Sequence, residues 1–482
     1  MRMLRFILAV LQVISLMLFD GTQAYVIRVN EKATGPVYEG WGTSGAWWAQ
    51  MVGNTPNDEW VAKILFDDKE GLGLDIYRYN IGAGEAENPN SRIWGRSQKT
   101  ESFYKHNEQT GEYEFDFSRD ANARRMMDLA VKYGASEIVL FCNSPHFSMT
   151  RSGQASGGLS AGESNLPREN YREFVEYVLA VADRFVAEGY PVKYVSPINE
   201  PQWGWGGDWV RQEGCHYTQE EAVELLELFA VTMKERHTPY KLSMPETGQI
   251  IDFSWQDILF KSAVLREYCD TYSGHSYWLD GNKTEKTKAG LRFRFLFPGK
   301  RFVMSEWSEL PCKLDADSVE SALYMANTII EDLTLLNAVS WQTWVAVNTA
   351  NLSEGNLLSD GLLRANSDFT QLACNKRYYA FRQFTSFIKP GMKRSGTIVS
   401  PGFPGDVEKI AFRADGETVV VLLNNADEYR NIEFAGSYGD MRIYVTDAHM
   451  NFQEVRAGVF KRDVRLSPQS ITTVVLNNAP GC

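Results

Sequence analysis

Two short acidic segments carry the chemistry that can be read from this chain. Ser196-Pro197-Ile198-Asn199-Glu200-Pro201 follows the apolar run Val192–Val195 and precedes Gln202-Trp203-Gly204-Trp205-Gly206. Met304-Ser305-Glu306-Trp307-Ser308-Glu309 closes a second apolar run. Two opposed carboxyls are the basic equipment of glycoside hydrolysis, because one can protonate the departing oxygen while the other attacks the anomeric carbon or activates water. Glu200 is expected as acid/base and Glu306 as nucleophile. Glu306 is preferred to Glu309 because it stands immediately at the end of its strand. An isolated Asn-Glu-Pro can be a mere capped turn. The second glutamate and the nearby aromatic residues favour chemistry, since rings suit sugar C–H faces while carboxylates, amides and arginine satisfy hydroxyls.

The elements that must position these residues alternate regularly. From about Val37 to Phe387, strands are expected at Tyr38–Gly42, Leu74–Asn80, Ile138–Phe141, Val192–Ile198, Lys241–Met244, Thr271–His275, Phe302–Ser305 and Val339–Trp344. Helices are expected between them, among them Arg119–Tyr133 with Ser118 as cap, Tyr171–Glu188, Gln219–Arg236, Trp255–Glu267 and Ser318–Leu336. Eight strand–helix units predict an α/β fold, a (β/α)8 TIM barrel over residues 37–390, with Glu200 and Glu306 at the active face on strands four and seven. An open doubly wound sheet is the competitor, though no GxGxxG opens the first helix. After Pro390-Gly391, short strands separated by Gly, Asp, Asn and Pro turns predict an associated antiparallel β-sandwich domain over 391–482. The strand in residues 25–36 is expected to return to that sheet.

Residues 1–24 read as a secretory signal. Arg2 and Arg5 precede the apolar run Phe6–Phe19, and Thr22-Gln23-Ala24 offers a cleavage point. That run is shorter than the roughly 20 apolar residues a spanning helix needs, so a secreted or periplasmic monomer with no membrane partner is expected. The chain has 482 residues and a net charge of −12, which leaves no basic excess for nucleic acid. The six cysteines lack the short CxxC spacing of many zinc sites. No DxDxDG-type loop supports calcium, so no metal or other cofactor is expected.

The ordered set of motifs resembles glycoside hydrolase family 30 over nearly the whole mature chain. The anchors are Gly40-Trp41-Gly42, Tyr77-Arg78-Tyr79-Asn80-Ile81-Gly82-Ala83-Gly84, Asn143-Ser144-Pro145, Ser196–Pro201, His275-Ser276-Tyr277-Trp278, Ser305-Glu306-Trp307 and Trp341-Gln342-Thr343-Trp344. The resemblance implies a (β/α)8 barrel with a side-associated β domain and β-glycoside hydrolysis with net retention. It also implies that Asn199 binds the sugar 2-hydroxyl, that Arg78 bridges the pocket floor and supports the nucleophile, and that Tyr277 holds Glu306. His275 would bind a sugar hydroxyl or a neighbouring carboxylate, and Trp344 would floor the reacting sugar.

Two positions depart from the family pattern. Glu85 stands where many relatives have Asp, and its reading stays open between a sugar-hydroxyl binder and a solvated loop charge. Phe147 stands where many relatives have a tryptophan, so it keeps a ring and loses an indole donor. Trp47, Trp48, Trp203, Trp205 and Trp307 could add further platforms. The family leaves β-1,6-galactan, β-1,6-glucan, glucuronoxylan and shorter glucosides or fucosides open. The Asn-Ser-Pro…Met-Thr…Ser-Gly segment and the acidic mature chain resemble the endo-β-1,6-galactanase branch more than the others. A secreted carbohydrate-binding protein without catalysis is the reading from a different class.

Overall fold

The computed structural model describes residues 24–208, 210, 212–269, 271–310, 313–349, 360–414 and 416–478. Residues 1–23, which hold most of the expected signal, and Cys312 and Cys482 lie outside the described residues. Cys142, Cys215 and Cys374 are free thiols. Among the described residues, no helix is long and apolar enough to cross a membrane.

Residues 36–392 form one compact unit. Its centre is a closed barrel of eight strands: β1 (Gly40–Ser44), β2 (Ile76–Asn80), β3 (Glu137–Phe141), β4 (Val192–Ser196), β5 (Lys241–Thr247), β6 (Thr271–His275), β7 (Arg301–Trp307) and β8 (Ser340–Val345). Each strand pairs in parallel with the next, and β8 closes on β1. The closed sheet excludes the doubly wound alternative. Ile76, Val139 and Tyr194 form one buried apolar cluster. Arg78, two residues beyond Ile76 on β2, lies on the same face of that strand.

Several boundaries differ from the sequence expectation. The second helix is Ala121–Tyr133, and its entry is set by Asp120 in the left-handed region (φ 54), not by Ser118. The expected helix Trp255–Glu267 is broken into Phe253–Gln256, Ile258–Lys261 and Ala263–Tyr268, the last capped by Ser262. The helix expected to run to Leu336 ends at Glu331, where a π-turn over Asp332–Leu336 takes over. β5 runs three residues past Met244, and Pro245 sits in the ladder opposite Ser273.

Residues up to Gly35 and from Lys393 onward form the other unit. It is a nine-stranded sheet in the order Gln453–Val459, Asp440–Thr446, Ser470–Asn477, Glu417–Asn424, Val407–Ala414, Lys393–Val399, Tyr25–Val37, Arg430–Phe434, Asp463–Leu466. Tyr25–Ile27 pairs in parallel with Ile432–Phe434, and the other strands pair antiparallel: Lys393–Ser395 with Ala411–Arg413, and along the sheet through Val407–Ala414, Glu417–Asn424, Ser470–Asn477, Asp440–Thr446 and Gln453–Val459, with Arg430–Phe434 against Asp463–Leu466. Strands from both halves share one core, including Ile27, Val420, Ile443, Val464 and Val474. The sheet therefore curls over on itself, which is how the sandwich is built.

Candidate active site

Local irregularities at the ends of three strands turn three glutamates toward one another. Glu200 follows β4 with its backbone in the left-handed region (φ 47), and its N–H donates to Glu246 O at 2.8 Å. Glu246, near the end of β5, is left-handed as well (φ 54), and the register with β6 shifts between Pro245 and Thr247. Glu306 lies on β7 where the register with β6 shifts between Met304 and Glu306. Adjacent strand residues normally face opposite ways. The bulge on β7 lets Ser305 reach Glu246 while Glu306 meets Arg78 and Tyr277. Left-handed non-glycine residues and bulges of this kind concentrate at functional sites.

The arrangement brings Glu200, His275 and Glu306 together, with one nitrogen or carboxylate oxygen from each within 4.8 Å of the others. Arg78 donates from Nη1 to Glu306 Oε2 at 2.9 Å, and Tyr277 OH donates to Glu306 Oε1 at 2.9 Å. His275 Nδ1 faces Glu200 Oε1 at 3.1 Å and Glu306 Oε1 at 3.5 Å, while Nε2 faces Glu246 Oε2 at 3.1 Å. Glu246 also accepts from Ser196 at 3.2 Å and from Ser305. Two carboxylates and an imidazole could ligate a cation, but here the oxygens of Glu306 are aimed at Arg78 and Tyr277.

The charges follow from these contacts. Burial opposes a charged His275, but Glu306, Glu200 and Glu246 hold it up at about 10, so it is an imidazolium at neutral pH. Burial also opposes ionisation of Glu246, yet Arg78, His275 and Ser305 hold it down at about 2. Burial lifts Glu306 above the ordinary carboxyl range; His275 and Arg78 oppose this, and the charge of Glu200 adds to it.

The remaining expected residues fall into three groups. Asn199 donates to Asn143 Oδ1 at 3.1 Å, and its own Oδ1 is buried with no partner, an acceptor available to a hydroxyl. Asn143 is held in turn by Asn80 at 3.5 Å, and Asn80 by Glu213 at 3.4 Å. Arg78 lies over the Phe141 ring at 4.2 Å, and Phe141, Trp344 and Trp47 continue that aromatic layer edge to face. Glu85 is fully buried, which corrects the reading of it as a solvated charge: Asn88 and the Ala155 N–H hold Oε1, and Oε2 has no partner. Phe147 faces a separate cleft shared with Tyr113 and His106.

Of the further tryptophans, Trp48, Trp205 and Trp307 are buried, and their indoles donate to Ser44 O, Glu200 O and Asp280. Trp203 remains part-exposed, edge to face with Trp278 at 5.4 Å. Glu309, set aside as nucleophile, is buried against Arg377.

Glu246 and Glu213 were missed by sequence reasoning. Glu246 is an acid at the end of a barrel strand, the same signal that marked Glu200 and Glu306, but it lies beyond the Lys241–Met244 strand expected there. Glu213 sits far into the loop after β4, where no local pattern marks it. Burial, with the charge of Glu85, pushes it up to about 7 against the donors Thr100, Ala83 N–H and Asn80.

Comparison with known proteins adds a second kind of finding. The family model described as O-glycosyl hydrolase family 30 matches residues 24–280. The chain is 25% identical over 433 residues to an endo-β-1,6-galactanase from Hypocrea rufa, covering 85% of this chain and 82% of that one. It is 26% identical over 231 residues to an exo-β-1,6-galactobiohydrolase from Bifidobacterium longum, covering 36% of this chain and 15% of that one. Among solved structures, a conserved exported protein from Bacteroides fragilis superposes with a TM-score of 0.82 at 22% identity, covering 93% of this chain and 100% of that one, a likeness of fold.

Proposed function

This chain belongs to O-glycosyl hydrolase family 30, and on that premise we propose that it is a retaining endo-β-1,6-galactanase using Glu200 as acid/base and Glu306 as nucleophile. The single observation that carries the catalytic reading is the approach of Glu200 and Glu306, oxygen to oxygen within 4.8 Å around His275. A separation this small favours direct attack, for which carboxyls lie about 5–5.5 Å apart, over the wider spacing that leaves room for an inverting water. The galactan reading is supported by the two relatives, an endo-β-1,6-galactanase and an exo-β-1,6-galactobiohydrolase.

Glu200, acting as the acid, donates a proton to the glycosidic oxygen as the bond to the anomeric carbon breaks. Glu306, its charge held by Arg78 and Tyr277, attacks that carbon from the opposite face and forms a glycosyl ester. Glu200, now a carboxylate, takes a proton from water, the hydroxide adds at the anomeric carbon, and Glu306 leaves. Two inversions return the original configuration. Asn199 Oδ1 accepts from the 2-hydroxyl, and Trp344 floors the sugar. His275 keeps a positive charge between the carboxyls, limiting their repulsion as Glu306 regains its charge. Export is supported by the N-terminal Arg2, Arg5 and Phe6–Phe19 pattern.

Reducing-end release from β-1,6-galactan, β-1,6-glucan and glucuronoxylan tests this reading. Galactan is expected to be cleaved fastest. Preferred cleavage of glucan or xylan would reassign the substrate, and binding without release on any polymer would leave a carbohydrate-binding protein.

A further inference from the structure

Between β2 and the helix Ala121–Tyr133 the chain inserts a small antiparallel hairpin, Tyr104–His106 with Tyr113–Phe115. Its polar edge and the loop after β3 enclose a cleft of about 610 Å3, walled by Tyr113, Phe147, His106, Lys105, Glu108 and Asn90 among others. That size is within the roughly 300–1,000 Å3 of ordinary ligand clefts. The Tyr113 and Phe147 rings stand perpendicular at 6.0 Å, each part-exposed. Behind them Tyr104 stacks on Tyr113, and His146 packs against both Tyr113 and Phe147. The platform is therefore backed by fixed rings, and burial pushes His146 down to about 3, leaving this backing neutral.

Hydrogen bonds tie the wall of this cleft to residues described above. Its inner wall includes Asn88, which donates to Glu85 Oε1 at 3.3 Å and to Gly153 O at 3.0 Å. Phe147 N–H donates to Ala83 O at 3.0 Å, and Glu213, which accepts from Ala83 N–H, also holds the Asn80–Asn143–Asn199 chain. Its formal charges are equal in number: Arg119 pairs with Glu87, and Lys105 and Glu108 both line the wall. Aromatic faces in a wall without net charge suit a neutral hexose.

We infer that this cleft is a distal subsite holding a neutral sugar unit of the same β-linked chain, remote from the bond being cut, with Tyr113 as its platform. The inference rests on the proposed glycosidase reading and extends it: an enzyme that grips its polymer beyond the reacting sugar gains with each added unit until the cleft is filled.

The test compares kcat/KM for β-1,6-linked galactose oligosaccharides of increasing length in the wild type, Tyr113→Ala, Tyr113→Phe and His106→Ala. The wild type should gain with length. Tyr113→Ala should lose roughly 3–10-fold on the long oligosaccharides, through KM, while turnover of the shortest cleaved one is retained. Tyr113→Phe keeps the ring and should keep the gain. Circular dichroism of each variant separates a collapsed hairpin from a lost contact, and the exposed His106→Ala gives a second reading with less risk to folding. Equal loss at every length, or none at any length in a folded Tyr113→Ala, would overturn the subsite while leaving the glycosidase reading intact. A wild type that cleaves no member of the series and no polymer of the panel would overturn the glycosidase reading, and this inference with it.

Discussion

His275 Nε2 lies 3.1 Å from Glu246 Oε2, and this contact joins a glutamate outside the reacting pair to the imidazole that faces both members of it. Nε2 faces Glu246 while Nδ1 faces both reacting carboxyls, and as an imidazolium the ring donates on both sides. Glu246 in turn faces Arg78 Nη2 at 3.8 Å, so two cations and three carboxyls form one buried cluster. Replacing Glu246 with Gln removes an anion from beside His275 and lowers the imidazole's proton affinity. The alkaline limb of kcat/KM should therefore move to lower pH, and kcat at neutral pH should fall about tenfold or more, the scale of one charge-assisted hydrogen bond. A pH–rate profile checks both; an unmoved limb would separate Glu246 from the titration of the site.

Tyr277→Phe removes the 2.9 Å hydrogen bond to Glu306 Oε1 with little change in shape. Loss of a hydrogen bond to a charged group costs about 1.5–3 kcal/mol, so kcat should drop roughly 10- to 100-fold with the fold unaltered. Steady-state kinetics beside a thermal melt distinguish this from general destabilisation.

Gly248 supports the acid/base from behind. A Cβ there would lie 2.3 Å from Trp203 Nε1 and 2.7 Å from Glu200 Oε1. Gly248→Ala must displace one or both, so hydrolysis should fall at least about tenfold while most of the barrel is undisturbed. Activity equal to wild type would show that Glu200 tolerates movement.

Stability should depend on pH in two opposite ways. Glu246 falls from 4.5 to about 2 on folding, so the stability it contributes is complete above about 4.5 and is lost as the pH drops through 2. His275 rises from 6.5 to about 10, so its contribution is complete below about 6.5 and is lost as the pH climbs through 10. Urea unfolding across pH 2–10 should show both limbs. His275→Gln should flatten the alkaline one.

The barrel was legible because each strand is a short apolar run ending in polar residues, and because Glu200 and Glu306 stand where two such runs stop. The contacts of Arg78 and Tyr277 with Glu306 also lie where their places on β2 and after β6 put them. What the sequence could not convey is backbone departure from regularity. The left-handed turns at Glu200 and Glu246 and the bulge at Glu306 decide which way three carboxyls point. No propensity signals them, and the strand expected at Lys241–Met244 stops short of Glu246. Burial of Glu85 and Glu213 arises from loops folding over one another, a tertiary property without periodicity.

The central claim is that Glu306 forms the covalent bond to the sugar while Glu200 handles the proton. A 2-deoxy-2-fluoro-β-galactoside with a good leaving group slows release of the glycosyl-enzyme, and peptide mass mapping then locates the ester. The label is expected on Glu306 within the Phe302–Glu309 segment. A label on Glu246, Glu309 or Glu200 would contradict the assignment.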